Sequence, residues 1–315
     1  MRKILLAVFL ITAIFVSATD YFFGLGFQGL VNVNHTDGEW RISIVPVTSL
    51  SSGGVESGGF VFNVLRDRGF ALVSRLSLKP VTHVHTFHCE AIDVNAKTLE
   101  VFVADGTHGL KIYKFYGPRL YRLVQTLPVK GWVNSLAYHE NSILAGTEVD
   151  GLFLFKRGPE GFEEIQRLFP SGIDRLEAGI TVRAIVASGE RFFVAAGSEG
   201  ALVLEFSDGL LRVTGKLTAN YALDVAVSEK YVAVVEPQES TISFFDVLDL
   251  KPITSLDFDA SPVQAVIAKN WEDGKDYLLC RFSDSVSIIE MGAFQELFSM
   301  KGAFFGIVKP VYGID

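Results

Sequence analysis

Apolar and polar positions alternate in short runs along most of the chain, and turn residues separate the runs. The segment VFVADGTHGLKIYKF (101–115) shows an apolar run, a tight turn with two glycines, and a second, alternating run. Alternation places every second side chain on one face of a strand, and a glycine-containing turn between two such runs indicates a β-hairpin. The chain is therefore predicted to consist of repeated hairpins.

Six hairpins of this kind recur along the chain, at 41–65, 101–115, 143–157, 191–206, 231–245 and 277–290. Each is followed by another short apolar-rich run. Each is also preceded by a five-residue pattern of apolar, polar, mostly small, apolar and mostly apolar residues. The polar positions are Gln28, Glu90, Asn134, Arg183, Asp224 and Gln264, at intervals of 62, 44, 49, 41 and 40 residues. Four strands in about 40–50 residues is the period of a propeller blade.

We therefore predict an all-β fold, a six-bladed β-propeller of four-stranded antiparallel blades in a single domain over residues 19–315. The Ser/Gly-rich stretch 49–59 is interpreted as a flexible insertion in the first hairpin. The segment KGAFFGIVKP (301–310) is similar to YFFGLGFQG (21–29) and could supply an inner strand to the first blade. The alternative is therefore a count of seven blades with one incomplete.

The hairpin pattern ADG…GL-x-I-x resembles the LVIVD-repeat and wider WD40-like propellers of exported bacterial proteins. The resemblance covers the repeat region and is closest at 101–115 and 191–206, whereas 236–242 and 283–287 lack the glycine before the third strand. No Trp-Asp dipeptide ends the blades, so the chain departs from a regular WD40 array. The resemblance implies a binding or scaffold role and carries no catalytic residues.

The first eighteen residues are interpreted as a signal peptide. Arg2 and Lys3 precede an apolar run from Ile4 to Val16, and small residues follow up to Ala18. This order is typical of a secretory signal, and the apolar run is short for a membrane span. We expect an exported protein, periplasmic or extracellular, with no membrane contact beyond this segment; an uncleaved anchor is the alternative. Two cysteines give no disulfide framework and are interpreted as buried thiols.

The six polar positions of the repeat are predicted to form a ring at one end of the central channel. We call this end the top face; it carries the turns between second and third strands and the connections between blades. The ring residues are Gln28, Glu90, Asn134, Arg183, Asp224 and Gln264. They could bind a small polar ligand, or they could satisfy strand ends and hold water.

The connections on the top face contain histidines and aromatic residues. His83, His85 and His88 lie within six residues, and His108 occupies the hairpin turn of the same predicted blade. Imidazoles are ligands of Zn²⁺ and Cu²⁺, which makes His83, His85 and His108 weak metal candidates, although their spacing matches no established motif. Trp132 and Tyr221 occupy comparable connections and could stack on a ligand or pack on the channel.

Charge and motifs limit the function further. The formal net charge is −8 without a basic run, which disfavours nucleic-acid binding. The chain contains no nucleophile elbow, P-loop or dinucleotide-binding fingerprint. We expect a non-catalytic propeller that binds a protein, peptide or small polar ligand at the top face without a cofactor. The alternative is a metal-assisted hydrolase or lactonase in which Glu90, Asn134 and Asp224 hold one divalent ion.

Overall fold

β-strands form the regular structure of the described part of the chain. The computed structural model describes residues 19–36, 38–47, 49–168, 181–270 and 273–310. The predicted signal peptide lies outside these ranges. Within them, no helix has the length and apolar composition needed to cross a membrane.

The strands of the first blades alternate with short turns. They are β1 (Thr19–Gly24), β2 (Leu30–Thr36), β3 (Glu39–Val45), β4 (Gly54–Ser57), β5 (Phe60–Val64), β6 (Phe70–Ser74), β7 (Lys79–Val84), β8 (Ala91–Asn95), β9 (Glu100–Ala104), β10 (Leu110–Gly117), β11 (Leu120–Leu127), β12 (Val133–His139), β13 (Ser142–Thr147), β14 (Leu152–Gly158) and β15 (Gly161–Leu168).

The same alternation continues to the end of the described chain. The later strands are β16 (Ala184–Ser188), β17 (Arg191–Ala195), β18 (Ala201–Ser207), β19 (Leu210–Leu217), β20 (Asp224–Val227), β21 (Tyr231–Glu236), β22 (Thr241–Asp246), β23 (Pro252–Asp257), β24 (Pro262–Lys269), β25 (Asp276–Phe282), β26 (Ser285–Glu290), β27 (Gln295–Lys301) and β28 (Gly306–Pro310).

These strands form six hydrogen-bonded sheets, five of four strands and one of eight. The eight-stranded sheet has the order β3-β2-β1-β28-β4-β5-β6-β7 and thus contains two four-stranded halves. The first half is β28-β1-β2-β3, which we call blade 1, and the second is β4–β7, blade 2. The other sheets are blade 3 (β8–β11), blade 4 (β12–β15), blade 5 (β16–β19), blade 6 (β20–β23) and blade 7 (β24–β27).

The predicted all-β propeller of four-stranded antiparallel blades is confirmed, and its six sheets are present. Because one sheet spans two blades, the ring holds seven four-stranded blades, the number given by the alternative prediction. The seventh is complete, since β28 pairs antiparallel with β1 and parallel with β4. The predicted pairing of C-terminus with N-terminus is therefore correct. Neighbouring inner strands contact each other around the ring in the order β28, β4, β8, β12, β16, β20, β24.

Three details of the repeat prediction are wrong. The stretch 41–65 is not one hairpin, because β3 is the outer strand of blade 1 and the β4–β5 hairpin belongs to blade 2. The stretch 27–31 is not an inner strand, since residues 25–29 form the turn between β1 and β2. Part of the presumed insertion at 49–59 is β4, an inner strand.

The core lies between blades, because each sheet buries both faces. Between blades 3 and 4, for example, Phe102 and Ile112 pack with Leu136 and Phe153, and all four are almost fully buried. The alternating pattern of the sequence thus fills the space between sheets. Cys89 and Cys280 are free and fully buried in two of these clusters, as expected for thiols acting as small apolar groups.

Candidate functional site

The top end of the inner strands is defined by one recurring backbone hydrogen bond. The amide of the residue just before the strand donates to a backbone carbonyl at the end of the second strand: Glu90 to Ala104, Arg183 to Ala195, Leu223 to Val235 and Phe305 to Gly24, at 2.8–2.9 Å. Asn134 lies next to the equivalent position in blade 4, after the Val133–Gly106 bridge. The top of the channel thus carries Glu90, Asn134, Arg183, Leu223 and Phe305.

Three of the six residues predicted to form the ring do not lie at its level. Gln28 lies in an exposed turn of blade 1 and not on an inner strand. Asp224 lies one residue beyond Leu223, the position equivalent to Glu90, and so lies deeper in the channel. Gln264 pairs with Arg281 and, like Asp224, lies one residue further along its strand. The repeat pattern therefore gave the wrong register in blades 6 and 7.

Three neighbouring side chains surround Glu90. Arg66 forms an ion pair with its carboxylate, and Trp132 donates from Nε1 to Glu90 Oε1 at 3.0 Å. His88 lies between two carboxylates, with Nδ1 on Asp67 and Nε2 3.1 Å from Glu90 Oε1. Because Arg66 belongs to blade 2 and Trp132 precedes blade 4, Glu90 links three blades.

Asp105, which sequence reasoning did not single out, positions the segment before Glu90. It is fully buried and accepts hydrogen bonds from the amides of Phe87 at 3.2 Å and His88 at 2.7 Å. Lys111 lies 2.5 Å from the same carboxylate. Burial tends to raise the pKa of Asp105, but the bonds from Lys111, Thr86 and these amides outweigh it, and the pKa is lowered. A charged Asp105 therefore fixes the histidine connection.

Asn134, Asp224 and Gln264 each bond to the backbone of the following blade. Asn134 Nδ2 donates to Val182 O at 2.8 Å, Asp224 Oδ2 accepts from Ala265 N at 3.0 Å, and Gln264 Oε1 accepts from Ile307 N at 3.0 Å. These bonds satisfy backbone groups at blade junctions. The structural interpretation of the ring thus has direct support, whereas ligand binding by these residues stays a prediction.

The Asp224 carboxylate accepts the hydrogen bond from Ala265 in a buried environment that changes its pKa. Burial raises the pKa of this carboxyl to about 7, although the amides of Ala265 and Val225 and the charge of Arg281 oppose the shift. The carboxyl therefore changes charge near neutral pH while it holds blades 6 and 7 together.

Acidification should stabilise the fold through Asp224. Its pKa in the folded protein lies above the usual aspartate value, so between about pH 4 and pH 7 the folded state binds more protons than the unfolded state. We compare the free energy of unfolding of the wild type with that of Asp224→Asn. The wild-type value minus the variant value should rise by roughly 2 kcal/mol as the pH falls from 7.5 to 4.5. Urea unfolding across this range measures the difference.

The matched control is Gln264→Ala, because Gln264 also accepts a hydrogen bond from a backbone amide of the next blade, but through an uncharged side chain. Its cost should not vary with pH. A wild-type minus Asp224→Asn difference that is flat, or that grows toward alkaline pH, would contradict the role of Asp224.

The four histidines do not meet at one point. His83 and His85 lie side by side, with ring centroids 4.1 Å apart, and His83 Nε2 lies 2.7 Å from Arg68 O. His108 packs on Phe87 instead, at 4.0 Å. Among the described residues, no three His, Cys, Asp or Glu side chains are grouped as a metal site would need. The grouping of His83, His85 and His108 is therefore wrong.

Trp132 and Tyr221 do occupy equivalent positions. Each precedes an inner strand and covers a turn glycine of the previous blade: a Cβ on Gly106 would lie 3.3 Å from the Trp132 ring, and one on Gly197 3.5 Å from Tyr221. Both glycines have positive φ, so the turn needs glycine for its backbone as well as for the close ring. The packing interpretation of these two aromatics has direct support.

The top face also carries exposed phenylalanines and an exposed arginine. Phe27, Phe87 and Phe305 are 80%, 54% and 44% exposed. The Phe305 ring lies over Gly26, next to Phe27, because a Cβ on Gly26 would be 2.6 Å from it. Arg183 is exposed and makes no side-chain hydrogen bond or ion pair within the described ranges.

The opposite end of the channel, the bottom face, holds a cavity that the sequence did not predict. Its volume is about 1300 Å³, and the lower ends of six of the seven inner strands line it. The lining residues include Val94, Tyr138, Val186, Val227, Ile267 and Lys309. They come from strands far apart in the sequence, and no local motif marks them.

Comparison with known proteins gives the fold. No described protein family and no curated protein sequence matches the chain. It is similar to the solved WD40 repeats of RRP9, at 11% identity and a TM-score of 0.67, over 84% of this chain and 85% of that one. It is also similar to a designed protein, Ika8, at 13% identity and a TM-score of 0.61, over 94% and 91% of the two chains.

A third similar structure carries an enzyme's name. It is a protein from Bacteroides fragilis NCTC 9343 named as a 6-phosphogluconolactonase, at 14% identity and a TM-score of 0.68, over 93% of this chain and 98% of that one. At such identities the likeness extends to the fold alone. The resemblance to WD40-like propellers is thus confirmed for the fold, and the resemblance to LVIVD-repeat proteins stays a prediction.

Proposed function

We propose that the protein is an exported, non-catalytic interaction propeller that binds a protein partner at its top face. The observation that supports the proposal is that polar and aromatic residues of this face have different environments. The polar residues Glu90, Asn134, Asp224 and Gln264 bond to neighbouring blades, whereas large aromatic side chains project into solvent.

The exposed phenylalanines have the properties of interface anchors. Aromatic residues and arginine are enriched at the centres of protein interfaces, since they bury much area at little entropic cost. Phe27 lies in a tight turn, and Phe305 borders the β28 strand that closes the ring. Asp105 holds the backbone of Phe87. The rigid supports reduce the entropy lost on binding.

The alternative, a metal-assisted hydrolase, would need Glu90, Asn134 and Asp224 as ligands of one ion. Glu90 is engaged by Arg66, His88 and Trp132, Asn134 donates to Val182, and Asp224 accepts two backbone amides. Asp224 also lies at a different depth from the other two. No feature of the described residues favours this alternative over the interaction role.

Removing the three phenylalanines should abolish partner binding. The variant Phe27→Ser, Phe87→Ser, Phe305→Ser and the wild type are used as baits for affinity capture from the exported fraction of the native source. A partner held by the top face should bind the variant at least about tenfold less, because loss of a single anchor side chain commonly costs 2 kcal/mol or more. Quantitative mass spectrometry of the captured proteins measures the ratio.

The bottom face supplies a matched control. Leu76, Leu99 and Leu248 are 85%, 50% and 78% exposed there, and the triple change of these leucines to serine removes similar apolar area. This bait should retain the partner. If every captured protein binds the three baits equally, or binds less only to the leucine variant, the top-face proposal fails.

A further inference from the structure

The cavity at the bottom face, which we call the bottom funnel, has the size and lining of a ligand site. Its volume of about 1300 Å³ is enough for a small molecule and its water. The walls are mainly alanine, valine and isoleucine side chains from β8, β16, β20 and β24. Such a space binds apolar groups, and a few polar groups within it would decide which ligand fits.

Lys309 is a cation on one of the inner strands that line the funnel. It lies four residues after Phe305 on its inner strand, at the same depth as Val94 after Glu90 and Val227 after Leu223. Ile267, on β24, lines the funnel too. Lys309 therefore places a positive charge next to the valine and isoleucine residues at this depth, where Tyr138 also lines the funnel.

The Lys309 ammonium has no hydrogen bond or ion pair within the described ranges. It interacts electrostatically with Asp224, which lies nearer the top face. The Asp224 carboxylate already accepts hydrogen bonds from two backbone amides. A partly buried ammonium without an acceptor is unfavourable, and an anion that enters the funnel would supply the acceptor.

The rim of the funnel limits the charge of the ligand. Glu140 and Glu229 lie in the turns that follow β12 and β20, beyond the ends of these inner strands. Their side chains are 79% and 83% exposed, and Lys269 at the rim lies 3.3 Å from Glu229. These acids, together with the net charge of −8, repel polyanions. A single anionic group attached to an apolar body satisfies both the walls and the rim.

We propose that the bottom funnel binds a monocarboxylate with an apolar chain, whose carboxylate pairs with Lys309 while the chain lies on the valine and isoleucine walls. The site is separate from the top face and does not depend on the function proposed there.

Calorimetric titration of the full chain at pH 7.5 tests the site with three probes. Octanoate has both the charge and the apolar chain, octanamide has the chain alone, and acetate has the charge alone. Octanoate should bind with a stoichiometry of one, and octanamide should bind at least about tenfold more weakly, because a charge-assisted hydrogen bond is lost. Acetate should show no saturation, since it leaves the walls uncovered.

Two lysine variants assign the contact. Lys309→Met keeps the apolar stem and should weaken octanoate binding at least about tenfold, whereas Lys269→Met at the rim should change it less than about twofold. Lys309→Arg, which keeps the charge, should retain binding and guards against loss through misfolding. Absence of octanoate binding, equal binding of octanamide, or unchanged binding by Lys309→Met would each overturn the proposal.

Discussion

Replacing Gly306 by alanine should lower the free energy of unfolding by about 3 kcal/mol. Gly306 begins β28, the strand that closes the ring between β1 and β4. A Cβ at this position would lie 2.5 Å from the carbonyl carbon of Ser52, closer still to its oxygen, and 3.0 Å from Gly53 N. Because these are backbone atoms, the clash can be relieved only by moving β28 away from its neighbour. Urea unfolding of both proteins measures the cost.

Gly117→Ala is the matched control, because a Cβ at Gly117 meets no atom within 4 Å and its φ is not positive. This change should be neutral or slightly stabilising, since alanine restricts the unfolded chain. If the two alanine variants unfold at the same urea concentration, close contact at Gly306 does not control ring closure.

Much of the fold could be predicted because the turn chemistry is local. The turn in 105–109 needs positive φ at Gly106 and Gly109, and a Cβ at Gly109 would lie 3.1 Å from Val129 N and closer to Leu127 O. Glycines at this spacing recur at 26 and 29 and at 197 and 200, each between alternating apolar runs. Local sequence therefore determines hairpin, strand period and propeller class.

Assignment of strands to blades could not be read from the same local patterns. Residues 27–31 fit the inner-strand pattern of apolar, polar, small and apolar positions equally well, although they form part of a hairpin turn and β2. The true inner strand of blade 1, β28, comes from the other end of the chain and has Phe305 where the pattern expects a polar residue. Only the long-range pairing of β28 with β1 and β4 removes the ambiguity.

The roles of the candidate site residues depend on partners far away in the sequence. Asp224 accepts from Ala265 and Gln264 from Ile307, each more than 40 residues further on. A polar residue at a repeat position looks the same in the sequence whether it faces a ligand or a neighbouring backbone amide. The bottom funnel also depends on residues far apart in the sequence, because six inner strands must come together before Lys309 lies next to apolar residues.

The junction of blades 1 and 2 gives the second large expected effect. Arg75 Nε lies 2.9 Å from Asp20 Oδ2, and its Nη1 lies 2.9 Å from Glu56 Oε1. The two carboxylates are only 16% and 15% exposed. Arg75→Met should lower the free energy of unfolding at pH 7 by about 3 kcal/mol, because it leaves two neighbouring, largely buried carboxylates without their shared cation.

The same change should make stability more dependent on pH. Burial already raises the pKa of Glu56, and the charge of Arg75 opposes that shift. Without Arg75 the pKa rises further, so the folded variant takes up protons that the unfolded chain does not bind near pH 5. The cost of Arg75→Met should therefore shrink as the pH falls from 7 to 5, which urea unfolding at the two values measures.

Lys251→Met serves as the control for removal of a cation from an ion pair. Lys251 Nζ lies 2.6 Å from Asp249 Oδ2, but the two side chains are 78% and 47% exposed, so water replaces the lost partner. Its unfolding midpoint should match that of the wild type at both pH values. An equal loss in the two variants, or a cost of Arg75→Met that does not change with pH, would show that buried charge does not hold blades 1 and 2 together.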